Sequence, residues 1–387
     1  MTLSPLDDYP VHQIAETIRH VGTSDRNFYD RYYFNCHAGV DGDTEPLFLI
    51  IGLGQYPNLG VCDGFAVLRR GDDHIVFRAS RALGDDRMDL SVGPLRIEII
   101  EGLHRLRVVL DPSPEAPDLS FDLTFESDGP ANLEARHFHR QLERVTFDTQ
   151  RFVQTGTWSG SLTVDGDVIP VTPETWRGNR DRSWGVRPVG EAEPPGRKAD
   201  PAIAGSQNFF WIYSIMQFGD FTIVTIVQED QQGRRILEDA TRVWADRSRE
   251  PEWLGRPDHQ LTFISGTREV KSGTLYFRRP GAPGESDHIL EITCEPILPN
   301  YIGVGTGYGL EQDWRHGMWQ GELVVQGLRE KVSDIESWKK MLCPVDNLAR
   351  FTLVEDGVTR AGTGLFEVAV IGPHQRYGFT GIGDVAP

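Results

Sequence analysis

The sequence predicts an all-β protein made of two consecutive antiparallel β units with a few short helices. Three observations carry this. Runs such as Leu119-Ser120-Phe121-Asp122-Leu123-Thr124-Phe125 alternate cleanly between apolar and polar residues, the period of a strand with one face in a core. Tight-turn signals separate many such runs. At 387 residues the chain is too long for one small barrel and suits two units of ordinary size.

Taken in order, the elements begin with a helix. Asp8 can cap it, Pro10 suits its first turn, and Val11, Ile14, Ile18 and Val21 fall on one face before Gly22. The segment Asp25 to Phe34 is dense in aromatic and charged residues. It could wall a pocket or lie across an interface, and structural packing is the preferred reading. Sheet-like patterning resumes near residue 150 after the charged stretch Glu134 to Arg144, so an N-terminal unit is drawn over 1–150 and a C-terminal unit over 151–387. Hairpins are expected at Asp165-Gly166-Asp167, at Gly219-Asp220 and at Asp356-Gly357, each between apolar runs. The proline-rich stretch 191–201 reads as a lid or an insert. Gly303, Gly305, Gly307 and Gly309 alternate with larger residues. On a strand they would share one bare face, covered by an aromatic, a neighbouring sheet or a flat ligand. A second helix is expected near Ser333–Trp338, where Ser333 and Glu336 have capping-box spacing.

Composition narrows the function. The formal charge of -18 argues against nucleic acid and against anionic membrane surfaces. No apolar run approaches the ~20 residues that span a bilayer. The start lacks the basic and apolar regions of a signal peptide, and the four cysteines form no CxxC pair. A cytoplasmic protein with free thiols is expected, without stable membrane insertion. A homo-oligomer is left open.

Two segments carry candidate chemistry. Trp176 to Pro188 packs two tryptophans, Asp181 and four arginines into thirteen residues. Aromatic walls with one fixed carboxylate suit a pocket for an apolar substrate. Arg180 and Arg182 flank Asp181 and would favour its ionised form. The same makeup would also serve as a structural knot of Arg–Asp pairs under a core tryptophan. Glu311 to Gly321 repeats the theme with Asp313, Trp314, Arg315, His316 and Trp319. His316 is a candidate acid or base near neutral pH. His137-Phe138-His139 followed by Glu143 has the ligand spacing of a metal-binding cupin, but Ala131 and Gln150 stand where that motif has glycines. Gly52-Leu53-Gly54 lacks the third glycine of a dinucleotide fingerprint, and no phosphate loop or nucleophile elbow is present. No metal and no nucleotide cofactor is expected.

The segment Gln154 to Gly166, followed by Arg180-Asp181-Arg182-Ser183-Trp184-Gly185, resembles the AttH-like and carotenoid 1,2-hydratase-like group. That group includes kievitone hydratase and lipocalin-like Diels–Alderases. The resemblance is good from about 150 to 230, fair over 301–322 and weak over the first 130 residues. It implies two lipocalin-like β units, with cofactor-independent chemistry on terpenoid or polyketide substrates held between them. Carotenoid hydratases tend to read His-Asp-His-x-Trp-Gly here. Asp181 and Trp184 match that pattern, while Arg180 and Arg182 replace the histidines. Arginine does not cycle a proton near neutral pH, so proton chemistry falls to Asp181, His316 or Asp313.

The leading expectation is a lyase that adds or removes water, or an isomerase or cyclase, acting on a hydrophobic terpenoid, steroid or polyketide-like small molecule. Asp181 would be the base and His316 the acid, with Trp184 and Trp211 stabilising a carbocation. Tyr213, Arg182, Tyr308, Trp319, Gly305 and Gly307 are the further substrate contacts. Asp181, Trp184 and His316 are expected to face one cavity between the units. A non-catalytic lipid or steroid carrier is the alternative, and a cupin-type metal enzyme the second. Ionisable groups facing the ligand would favour the enzyme.

Overall fold

The computed structural model describes residues 10–40, 45–141, 143–189, 208–281, 287–355 and 357–387. Its regular structure is nearly all strand. The first sheet contains β1 (Phe28–Ala38), β2 (Leu47–Tyr56), β3 (Val61–Arg70), β4 (Asp73–Ala82), β5 (Ser91–Val92), β6 (Leu95–Glu101), β7 (Arg105–Leu110), β8 (Leu119–Ser127), β9 (Asn132–Leu133), β10 (His137–Gln141), β11 (Arg144–Val164), β12 (Asp167–Val171) and β13 (Arg177–Val186). The second contains β14 (Phe209–Gln217), β15 (Phe221–Glu229), β16 (Arg235–Trp244), β17 (Glu252–Trp253), β18 (Arg256–Phe263), β19 (Val270–Arg279) and β20 (His288–Asn300). The chain then returns through β21 (Leu323–Lys331) to the edge of the first sheet, beside β4. It finishes in the second sheet with β22 (Val345–Glu355) and β23 (Val358–Ile371). The first sheet curls into a nearly closed barrel and the second into a half-barrel, the architecture of two lipocalin-like units.

Alternation along the strands sorts side chains into three cores. All of β2 is buried, which is why its sequence shows a continuous apolar run. Leu47, Leu49 and Ile51 point into the barrel, whereas Phe48 and Ile50 enter the seam between the sheets. β14 divides likewise. Phe210, Ile212 and Met216 pack on the far side of the second sheet, and Trp211, Tyr213 and Ile215 face the seam. Trp158, in the segment that carries the resemblance, is barrel core. It lies between Phe34 and Phe125, with ring centroids at 5.9 and 5.3 Å, and its Nε1 donates to the Asn35 carbonyl at 2.9 Å.

Several elements differ from expectation. Residues 10–27 form bends and turns instead of a helix. Val11 and Ile14 are exposed, and Ile18 and Val21 are only partly buried. An apolar stripe that stays largely in solvent gives a helix no packing to hold it, and an isolated helix so short is marginal in water. Residue 150 lies inside β11, which continues to pair with β13, and the chain changes sheet between Val186 and Phe209. The stretch 191–201 lies outside the described residues. The glycine row is no strand. Residues 302–313 run through turns and bends, and Gly305, Gly307 and Gly309 have φ of 78°, 103° and 92°, where glycine has no Cβ to clash. The second helix is present but shifted. A 3₁₀ turn at Val332–Asp334 precedes a short helix, Ser337–Met341, and Glu336 is its N-cap. Ser333 instead donates from N and Oγ to the two Asp72 carboxylate oxygens, at 3.0 and 2.8 Å. Among the described residues no helix is long and apolar enough to cross a membrane.

Candidate active site between the two sheets

A cavity of about 450 Å³ lies in the seam. Its first wall is the outer face of β1, β13 and β11, where cross-strand pairing arranges side chains in rows. Tyr33, Asp181 and Val153 form the first row, Arg31, Ser183 and Arg151 the second, and Tyr29, Gly185 and Thr149 the third. The opposite wall comes from β14, β23 and β22, where Glu367 pairs with both Tyr213 and Asp346. The turns after β20 close one flank with Tyr308, Arg315 and His316. This connection crosses from one sheet to the other, so it can present polar groups to the seam without interrupting either ladder.

The acids come from both walls: Asp181 from the first row, Asp346 and Glu367 from the wall opposite. Asp181 is buried, and desolvation pushes its pKa up to about 7, opposed by Arg151 and Arg31 and reinforced by Glu134 and Glu367. Burial also raises Glu367, and it raises Asp346 well above the carboxylate range with help from Glu367. Asp346 and Glu367 are neighbours across the ladder, and their like charges disfavour ionising both. Tyr33 Oη donates to Asp346 Oδ2 at 2.7 Å, while Asp346 Oδ1 is buried without a partner among the described residues. Glu134 differs. It pairs with Arg151 Nε and accepts from Tyr213 Oη at 2.6 Å. Arg151 covers the Tyr213 ring at 4.2 Å.

His316 is buried and its pKa is lowered, mainly by desolvation and then by Arg31, against the pull of Asp63. Its Nδ1 lies 3.6 Å from Asp63 Oδ2, and its ring meets Tyr308 edge-on at 4.6 Å. Its Nε2 is buried without a partner among the described residues. Gly307, whose carbonyl accepts the His316 N–H at 3.0 Å, sets this turn.

The cavity therefore brings together Asp181, His316, Trp211, Tyr213, Tyr308 and Gly307 from the sequence reading. It does not include Trp184, Arg182, Asp313, Trp319 or Gly305. The period of two explains the first pair. Arg180, Arg182 and Trp184 occupy the alternate positions of β13 and face away from Asp181. Arg180 bonds Gln154 Oε1. Arg182 pairs with Asp30 and lies 3.9 Å above the Tyr32 ring. Trp184 meets Phe152 edge-on. The expectation that flanking arginines keep Asp181 ionised is thus corrected: the cations near it are Arg151 and Arg31, and burial outweighs them. Asp313 and Trp319 are exposed. Gly305 donates its N–H to Glu311 Oε1 at 2.8 Å, away from the cavity. Of the cupin-like pair, His137 lines the cavity and stacks on Phe147 at 4.6 Å, and burial lowers it to about 4. His139 contacts Thr146 Oγ1 at 2.9 Å. Among the described residues no group of three His, Cys, Asp or Glu is placed to hold a metal.

Sequence reasoning missed Arg31, Glu134, Arg151, Asp346 and Glu367. The spacing of Tyr29, Arg31 and Tyr33 was one available signal. A carboxylate within an apolar strand, as in Leu365-Phe366-Glu367-Val368, was another. What joins these residues is pairing between distant strands.

Asn35 and Asn179 lock β1 to β13 behind the cavity. Asn35 Nδ2 donates to Asn179 Oδ1 at 2.6 Å and Asn179 N to Asn35 Oδ1 at 3.0 Å, both buried. Gly178 permits this approach, since a Cβ there would stand 2.0 Å from the Asn35 carbonyl oxygen. Asn35→Ala should cost about 2–3 kcal/mol in urea unfolding by leaving two buried polar groups unpaired. An unchanged midpoint would show that the pair contributes nothing.

A family model matches residues 3–380 of the chain. The chain belongs to DUF8625, a family of unknown function. No curated protein matches this family member in sequence. Among solved structures, the DUF8625 chain is similar to a Nitrosomonas europaea protein provisionally assigned as AttH. The TM-score is 0.52 at 14% identity, over 93% of this chain and 98% of the other. The fold is therefore AttH-like. Crystalline CghA is also similar, with a TM-score of 0.48 at 10% identity over 89% and 88% of the two chains.

Proposed function

We propose that this protein is a lyase or isomerase that carries out acid–base chemistry on an apolar small molecule held in the seam. The observation that carries this reading is the placement of proton-holding carboxyls and a neutral histidine on the walls of one largely apolar cavity. A carboxyl with a pKa near 7 can give a proton at neutral pH, and a neutral imidazole can take one. The roles of the sequence reading are thereby exchanged: the carboxyls are the acid and His316 the base. In a dehydration, the Asp181 carboxyl protonates the substrate hydroxyl and water leaves. His316 Nε2 removes the neighbouring C–H proton, and solvent returns it to the carboxylate. Run backwards, the same steps hydrate an alkene; without loss of water they move a double bond. Positive charge on the substrate would be met by the newly formed carboxylate more than by Trp211 and Tyr213, because Arg151 already lies against both rings. The scheme requires no cofactor.

Incubated with lipophilic compounds from its source cells, the protein should interconvert a pair of identical mass or a pair differing by one water, read by mass spectrometry. Asp181→Asn and His316→Ala should each lower turnover at least about 100-fold while still retaining the ligand. If both variants turn over normally, the acid–base assignment is wrong. If the wild type retains a ligand unchanged, the protein is a carrier.

A further inference from the structure

We propose that the ligand of this cavity carries an anionic group, held by Arg187 and Arg315 away from the Asp181 carboxyl. The inference rests on the reading above that the seam binds an apolar molecule, and it names the class: an amphipathic acid.

The argument comes from charge placement along β13. Its cavity-facing positions are Asp181, Ser183 and Gly185, followed just beyond the strand by Arg187. Arg187 Cζ stands 4.5 Å from the centre of the Tyr29 ring. Tyr29 pairs with Gly185, four residues from Asp181, which is about 13 Å at strand rise. The carboxyls cluster at the Asp181 end, where Tyr33 and Glu367 also lie. Arg187 belongs to the other end.

Arg315 approaches from the flanking turn, next to His316. Arg187 and Arg315 both line the cavity, and in both the Nε is buried without a hydrogen-bond partner among the described residues. By contrast, Arg151 and Arg182 pair with Glu134 and Asp30. A buried guanidinium N–H without an acceptor is costly. A planar anion such as a carboxylate supplies acceptors that match the guanidinium fork. Neutral terpenoids and sterols lack such a group. Asp181, Asp346 and Glu367 do not substitute for it: they cluster at the Asp181 end, and burial favours their protonated forms.

The test is fluorescence titration of the full chain with a conjugated polyene fatty acid and with its methyl ester. The acid should bind at least ten-fold more tightly than the ester. In a folded Arg187→Gln/Arg315→Gln double variant, checked by circular dichroism and thermal melting, that preference should vanish. Arg187→Lys/Arg315→Lys, which keeps the charge, should recover part of it. Equal affinity of the wild type for acid and ester would overturn the inference and leave the apolar-ligand reading standing. So would a preference that survives in the glutamine variant. Binding of neither probe, with the protein's tryptophan fluorescence unchanged, would overturn both.

Discussion

Replacing Glu134 by alanine should destabilise the protein by about 3 kcal/mol or more, among the largest losses available to a single side chain at the site. Glu134 is almost fully buried, whereas the Arg151 side chain keeps 23% exposure toward the cavity. Removing the carboxylate strands the guanidinium and also deprives Tyr213 Oη of its acceptor. Truncating one partner of a buried ion pair typically costs about 3–5 kcal/mol. The partial exposure of Arg151 lets water meet some of that charge, so the lower end is expected. Asp181 and Glu367 would then feel Arg151 more strongly, since Glu134 now helps to raise both. Urea unfolding at neutral pH would measure the loss. A change below about 1 kcal/mol would place the pair with exposed ion pairs.

The second large effect is on pH dependence. Asp181 has a folded pKa of about 7 against a usual 3.8. The folded state therefore holds a proton that the unfolded chain releases. The corresponding stability is fully present below pH 4 and is lost as pH rises through 7. Asparagine cannot ionise, so Asp181→Asn escapes this loss. Relative to the wild type, the variant should gain about 4 kcal/mol between pH 4 and pH 8. Asp346→Asn should shift in the same direction, because burial and Glu367 raise Asp346 as well. Buried histidines act oppositely. His37 is lowered to about 3, and His74 and His374 to about 4, each first by burial. Their contribution is lost as pH falls below 6.5. Unfolding free energies of wild type and Asp181→Asn across this range isolate the single carboxyl. A difference that stays constant with pH would mean that Asp181 is ionised in the folded state throughout.

The all-β class, the hairpins and the two-unit plan were legible in the sequence because they rest on local patterns. Leu119 to Phe125 alternates, and Gly219-Asp220 turns, whatever the rest of the chain does. The region of the cavity was half legible. The segments around Asp181 and His316 stand out by composition, but the same reading joined Asp181 with Arg180, Arg182 and Trp184. Neighbours along a strand point to opposite faces, so proximity in sequence misled where it was most suggestive. The glycine row misled for a related reason: alternating spacing fits a strand, yet positive φ at Gly305, Gly307 and Gly309 makes turns of it.

Tertiary structure alone decided which carboxyls meet. Asp181 and Glu367 come from different sheets, and Glu134 and Arg31 lie far from either in sequence. Register between strands brings Tyr33 beside Asp181 and Asp346 beside Glu367. Packing of the two sheets then removes water from all of them. A carboxyl's proton affinity is set by that desolvation and by charges contributed by distant segments. The sequence by itself therefore determined which residues were available for acid–base chemistry, and only the closed seam determined which of them would hold a proton.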